Sequence, residues 1–228
     1  MVQRVVLEGF HAVKHAVRFG AVVVDVVVLD REKAVGLARS HASDLVEVFE
    51  AARVVSAGEF ERVVGRSHPT GVGGVAERPV VELGRGGPLV LLDNPRNLGN
   101  FGAVIRVAAG LGAGGVLSLG DVDPWHPNVL RGSAGLHFAL PVARLGGLEE
   151  VRGTVIAFDA GGQELRDVRI PDDAVLAFGS ERHGLSADVR ERADLVVSLP
   201  MRPKVSSYNL TTSVAMGLYH WELFRRAS

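Results

Sequence analysis

Apolar positions along the chain fall into short runs separated by regular punctuation, and the spacing within each run changes repeatedly between helical and strand-like. Gly9–Arg18 has an amphipathic, helical spacing, and Val22–Leu29 is a β-branched run that reads as a strand. Glu32–Ser40 and Leu45–Ala52 follow as helical pieces, then Arg53–Val55 as a short strand. Ala57–Val64 places Phe60, Val63 and Val64 at helical spacing, and Val72–Ala76 closes a small α/β unit. Breakers then accumulate: Pro79, Gly84, Gly86, Gly87 and Pro88 punctuate a polar stretch that predicts a linker over residues 79–87. The division expected is therefore residues 1–78, the linker, and residues 88–228.

The second part opens on Leu89–Leu92, a short apolar run suited to a buried strand. A polar loop, Asp93–Asn100, precedes a helical stretch at Phe101–Ala109, which glycines end before a strand at Val116–Leu119. Strand, helix and strand in that order predict a parallel unit. Val155–Phe158, Val175–Phe178 and Leu195–Leu199 read as further buried strands, and Ser213–Phe224 as a closing amphipathic helix.

Composition narrows the classes. The 228 residues include no cysteine, which removes disulfides, thiolate metal sites and cysteine nucleophiles, and suits a reducing compartment. The apolar run Ala21–Leu29 is interrupted by Asp25 and is far shorter than the roughly 20 residues of a bilayer span, and the start of the chain lacks the pattern of a secretion signal. A cytoplasmic protein without membrane association is expected. With 25 basic against 26 acidic side chains there is no global attraction for a polyanion, so any nucleic-acid contact must be local.

Gly110-Leu111-Gly112-Ala113-Gly114-Gly115 satisfies the dinucleotide fingerprint by letter, but a helix precedes it and a strand follows, the reverse of what that site requires. A helix end and a tight turn are the better reading, and an oxidoreductase resting on this run alone is a weak rival. Three polar clusters at strand ends are more informative. The first is Asp93–Arg106, where Asn97 or Asn100 could serve as a helix cap and Arg106 as a solvated helix residue. The second, Phe178-Gly179-Ser180-Glu181-Arg182-His183-Gly184-Leu185-Ser186, could be a glycine-bounded turn with an exposed ion pair. The third runs from Leu199 through Pro200, Met201, Arg202, Pro203 and Lys204 to Ser207, Tyr208 and Asn209, where Ser207 or Asn209 could cap the last helix. Ligand sites in parallel α/β sheets favour such strand ends.

In this order the clusters resemble the SpoU (TrmH-like) branch of the SPOUT RNA methyltransferases. The first family motif pairs an Asn with an Arg six residues on, as Asn100 and Arg106 do here, with Gly102-Ala103 between. The second resembles Gly179–Ser186. The third, Pro-Met followed by Ser-Leu-Asn, resembles Pro200-Met201 and Ser207-Tyr208-Asn209, with Tyr208 in place of the usual Leu. Arg131-Gly132-Ser133-Ala134-Gly135 is similar to an intermediate family segment, and Gly9–Val13 and His68–Val72 to the ends of a small ribosomal-protein-like domain.

The resemblance implies an α/β fold whose parallel sheet carries a C-terminal trefoil knot, preceded by the small RNA-binding domain, and a homodimer. It implies transfer of methyl from S-adenosylmethionine to a ribose 2′-hydroxyl of tRNA or rRNA, without a metal. Asn100, Arg106, Glu181, Ser207 and Asn209 are the implied catalytic set. Phe178, Gly179, Ser180, Glu181, Leu199, Pro200, Met201, Ser207 and Asn209 are the implied cofactor contacts. A guanidinium does not release its proton in the working range, so Arg106 is expected to stabilise the developing alkoxide and grip a phosphate, with Asn100 orienting it and Glu181 holding either one. A non-catalytic RNA-binding or assembly factor of the same fold is the alternative.

Overall fold

The structure is a computed structural model that describes residues 3–80, 82 and 86–225; part of the expected linker, residues 81 and 83–85, lies outside them. The chain forms two compact units, one of residues up to Val80 together with Ala134–Ala139, the other of Val81–Ser133 and Leu140 onward.

The first unit comprises β1 (Arg4–Glu8), α1 (Phe10–Arg18), β2 (Val23–Val28), α2 (Arg31–His41), α3 (Val46–Glu50), β3 (Arg53–Val54), α4 (Ala57–Val64) and β4 (Val72–Glu77). Its sheet runs β1-β4-β2-β3, antiparallel except for the β2–β3 pair. Strand β1 was not expected, because Val-Val-Leu between charged residues is too short a run and lacks alternation. Local chemistry sets the helix starts. Asp30 accepts from the Lys33 amide at 3.0 Å to cap α2, Ser56 accepts from the Glu59 amide at 3.3 Å to cap α4, and Gly65 ends α4 with φ +85°. Adjacent side chains of β2 point to opposite faces: Val28 enters a core with Leu7, Phe10 and Phe49, and Val27 packs with Val55, Phe60 and Val64. The returning segment completes this unit, with Gly135 at φ +78° lying against the α1 backbone at Ala12, where a Cβ would come within 2.8 Å.

The second unit comprises β5 (Leu89–Asp93), α5 (Leu98–Leu111), β6 (Gly115–Leu119), α6 (Pro127–Ser133), β7 (Val142–Arg144), β8 (Val155–Glu164), β9 (Val175–Phe178), α7 (Ala187–Arg192), β10 (Leu195–Ser198) and α8 (Leu210–Arg225). Its six strands are all parallel in the order β10-β8-β9-β5-β6-β7. From β5 the chain proceeds to one side through β6 and β7, then fills the other side. The crevice beyond the carboxyl ends of β5 and β9 is therefore a topological switch point, the usual ligand position in open parallel sheets. The central strands are buried on both faces, which is why they read as unbroken apolar runs. Gly112, at φ +73°, ends α5, and β6 begins at Gly115, so the glycine run is a helix end and turn. Among the described residues no helix is long and apolar enough to cross a membrane.

Three elements of this unit escaped the sequence reading. α6, β7 and α7 have seven, three and six residues, too short for a period to establish itself. Other elements are longer than expected, α8 among them, which begins at Leu210. α5 begins at Leu98, and β8 extends past Phe158 to Glu164 through an irregularity: Val196 pairs with Ala157, whereas Val197 pairs with Gln163. Residues 158–162 thus bow out from β10, which matters for the site.

Candidate active site

The clusters that follow β9 and β10 fold around one cleft of about 550 Å³. Its apolar wall is built on Phe158, from the irregular part of β8, stacked on Phe178 at the end of β9 with ring centres 4.3 Å apart, and is continued by Leu199, Met201 and Leu210. Glycine is obligatory at 179, where a Cβ would sit 2.0 Å from the Gly184 carbonyl carbon and 2.2 Å from the Leu185 nitrogen. The two amides of Ser180 and Gly184 each donate to the other residue's carbonyl at 3.0 Å, which ties off a loop that carries Glu181 and Arg182 into the cleft wall. The other loop is closed by the Tyr208 hydroxyl, which donates to the Pro200 carbonyl at 2.8 Å. The Tyr that stands where a Leu was anticipated thus makes a hydrogen bond across the loop.

Asn97 and Asn100 divide the two roles open to them. Asn97 accepts from the Asn100 amide at 3.0 Å and caps α5, which leaves the Asn100 side chain free for the site. Asn100 Nδ2 donates to Glu181 Oε1 at 2.7 Å, and Asn209 Nδ2 donates to Asn100 Oδ1 at 3.2 Å. Residues 81 and 109 positions apart are thereby linked side chain to side chain, the carboxylate end by a charge-assisted bond. Asp93, buried at the end of β5, accepts from the Ser186 amide at 2.6 Å and fixes the far end of the Glu181 loop.

The predicted residues do not all converge. Phe178, Gly179, Ser180, Glu181, Leu199, Met201 and Ser207 line the cleft, whereas Pro200 and Asn209 are not among its lining residues. Pro200 supplies the carbonyl that Tyr208 engages, and Asn209 joins the site through Asn100. Arg106 is exposed on α5, and no hydrogen bond from its side chain to another described residue is present; Glu181 holds Asn100, not Arg106. Six helical positions separate Asn100 from Arg106, which turns the two side chains about 120° apart around the helix axis. The expectation that Asn100 orients Arg106 directly is thus unmet within this chain.

Sequence reasoning also passed over Phe158 and Asp159, which reach the cleft only because β8 departs from β10, and Thr211. Asp159 is paired with Arg190 at 2.7 Å, and Arg182, Arg202 and Lys204 are the cations of the wall without an ion-pair partner among the described residues. Lys204 holds φ +74° in the loop beside Pro203, an uncommon conformation for a residue with a side chain. Thr211 donates from its amide to Asn209 Oδ1 at 2.9 Å and from its hydroxyl to the Asn100 carbonyl at 3.3 Å. An Asn followed two residues later by Thr at a helix start was the available signal.

Comparison with known proteins gives this geometry a family. An uncharacterized tRNA/rRNA methyltransferase of Archaeoglobus fulgidus is 35% identical over 150 residues, a match that takes in 62% of this chain and 66% of that relative, just under two thirds of its length. The 23S rRNA (guanosine(2553)-2′-O)-methyltransferase RlmP of Bacillus subtilis is 28% identical over 226 residues, covering 94% of this chain and 86% of that protein. The crystal structure of the SpoU methyltransferase AviRb from Streptomyces viridochromogenes, in complex with the cofactor AdoMet, superposes with a TM-score of 0.80 at 26% identity, over 99% of this chain and 91% of that one. The family model described as the SpoU rRNA methylase family matches residues 87–219, a span that contains the glycine-closed loop, the Asn100–Glu181–Asn209 network and the whole cleft, and the chain belongs to that family.

Proposed function

We propose that the chain is an S-adenosylmethionine-dependent RNA methyltransferase that modifies a ribose 2′-hydroxyl of tRNA or rRNA. The observation that carries this reading is the junction of two structures at Glu181. One is a cleft with a stacked aromatic wall, and the other is a fixed pair of amides, one on α5 and one just before α8. The family, and relatives named as 23S rRNA 2′-O-methyltransferases, support it. The same reading takes the first unit as the substrate RNA-binding domain, the second as a knotted catalytic domain, and the working form as a homodimer in the cytoplasm. In a dimer the outward Arg106 could meet a site from outside its own chain.

The residues fit the cofactor. A nucleoside with an amino-acid tail needs a largely apolar slot with a few fixed polar groups. A cleft of about 550 Å³ lined by Phe158, Phe178, Leu199, Met201 and Leu210, with backbone amides and carbonyls on two tied loops, has that character. Phe178, Gly179, Ser180, Leu199, Met201 and Ser207 would hold it, Gly179 allowing close backbone approach. When bound, it supplies a methyl group on a sulfonium centre, open to attack by an oxygen nucleophile.

The chain's own contribution is placement and charge. Asn100 and Asn209 are held before any ligand arrives, so their donors need no reorganisation. Arg106, a permanent cation, stabilises negative charge on a ribose oxygen and the neighbouring phosphate. Ser207 adds a hydroxyl at the cleft edge, and Arg202 and Lys204 attract the RNA backbone.

Labelled-methyl transfer from S-adenosylmethionine to total RNA, with mapping of 2′-O-methylated positions, tests the activity. Arg106→Ala is expected to lower the rate by at least about 100-fold, the loss typical of a charge-stabilising donor, while calorimetry shows cofactor binding unchanged. An unaltered rate removes Arg106 from the mechanism. Failure of the unaltered protein to bind cofactor favours the non-catalytic RNA-binding factor.

A further inference from the structure

We infer that Thr211 is a positioning residue: it fixes the direction of a hydrogen-bonded chain, Asn209 to Asn100 to Glu181, and so decides which side-chain atoms of the site donate and which accept. The inference deepens the methyltransferase reading and rests on it for its kinetic consequences.

A primary amide can sit in a chain of amides either way round, and only the ends of the chain choose. At one end is the Thr211 backbone N–H, which can only donate. It meets Asn209 Oδ1 at 2.9 Å, so Asn209 Nδ2 must face outward, to Asn100 Oδ1 at 3.2 Å. Asn100 Nδ2 is then left to face Glu181 Oε1 at 2.7 Å, a carboxylate oxygen that suits a donor. Turning the chain round would set an N–H against the Thr211 N–H and a carbonyl oxygen against the Glu181 carboxylate, two like-to-like contacts. The Thr211 hydroxyl adds a second tie, donating to the Asn100 carbonyl at 3.3 Å and fastening the start of α8 to the first turn of α5. Each amide nitrogen has two hydrogens and gives one to the chain. Asn100 and Asn209 therefore present N–H groups at the site, the chemistry that a phosphate or ribose oxygen of RNA requires.

Two variants test the hydroxyl tie. Thr211→Val keeps the shape and the backbone donor but loses the hydroxyl. In methyl transfer its kcat is expected to fall by about tenfold, the size of one ordinary hydrogen bond, with KM for RNA changed less than about twofold. Thr211→Ser is expected to recover most of the loss. Equal kcat in Thr211→Val and the unaltered protein, or a Ser variant as slow as the Val variant, overturns the positioning role.

Direction is read without turnover, in cofactor-free protein. Asn209→Asp replaces the donor facing Asn100 with an acceptor, which obliges the Asn100 amide to turn and sets its oxygen against Glu181. Its side-chain amide resonances should move in a nitrogen-15 spectrum, and the Tm should fall by about 2–4 °C. Adding Glu181→Gln supplies a donor at the far end, closes the chain in the opposite sense and should bring the Tm back towards the starting value. Additive losses in the double variant, or Asn100 resonances unmoved by Asn209→Asp, overturn the directional chain. If the unaltered protein transfers no methyl group, the function fails while the spectrum and the Tm cycle still decide the chain.

Discussion

His15 shows how one half-buried ring can make a unit sensitive to pH. Its Nδ1 lies 2.7 Å from the Ala134 carbonyl, so the neutral ring donates there. Burial, and after it the cations Lys14, His11 and Arg18, hold the imidazole below its ordinary value, against the opposing pull of that carbonyl. The unfolded chain therefore takes up a proton at a pH where the folded one does not. The stabilisation is full above the ordinary histidine value and is lost as pH falls through it. Resistance to thermal unfolding should weaken as the pH falls below the ordinary histidine value of about 6.5. His15→Gln, which keeps a donor and cannot titrate, should flatten that dependence; the same slope in both proteins assigns it to other groups. Residue identity was legible in the sequence where the residue type alone carries the chemistry, as for Asn100, Glu181 and Asn209. The division of labour between Asn97 and Asn100 was not, because either amide could cap the helix until tertiary contacts brought Glu181 and Asn209 to one of them.

At the level of elements, the second unit depends on how closely α5 and α6 approach. A Cβ on Gly102 would lie 2.4 Å from the Val129 carbonyl oxygen and 2.7 Å from Gly132 Cα, so the two backbones meet where both helices lack side chains. Gly102→Ala should force the helices apart and cost about 1–3 kcal/mol, the range for overpacking a tight core, despite the better helix propensity of Ala. A chemical-denaturation midpoint at or above that of the unaltered protein would refute the crossing. α4 declared itself in the sequence by its helical period and β9 by an unbroken apolar run, and both occupy the residues expected. α6, β7 and α7 did not, since three to seven residues complete too little of any pattern. The irregularity in β8 was equally hidden. Ala-Gly-Gly at 160–162 marks an unusual backbone, but the jump in partners depends on β10, some 35 residues later.

For the molecule as a whole, a formal charge of −1 means that the RNA affinity required by the proposed function would come from local cations and not from a general field. Arg182, Arg202 and Lys204 at the cleft make that concrete. Binding of substrate RNA should weaken with salt, and Arg202→Ala should reduce the magnitude of the log–log salt slope by about 1, the effect of removing one phosphate contact. A filter-binding series giving identical slopes for the two proteins would place Arg202 off the RNA path. The amino-acid sequence by itself determined the residue chemistry of three loops, the parallel character of the second unit and the family they share, because each is written in a contiguous stretch of residue types. Only the tertiary structure decided that Glu181, Asn100 and Asn209 touch, that Arg106 points elsewhere, that Phe158 walls the cleft and that residues 134–139 fold with the first unit. Those outcomes depend on strand order and helix rotation, which bring together positions up to about a hundred residues apart and leave no periodic trace in the intervening chain.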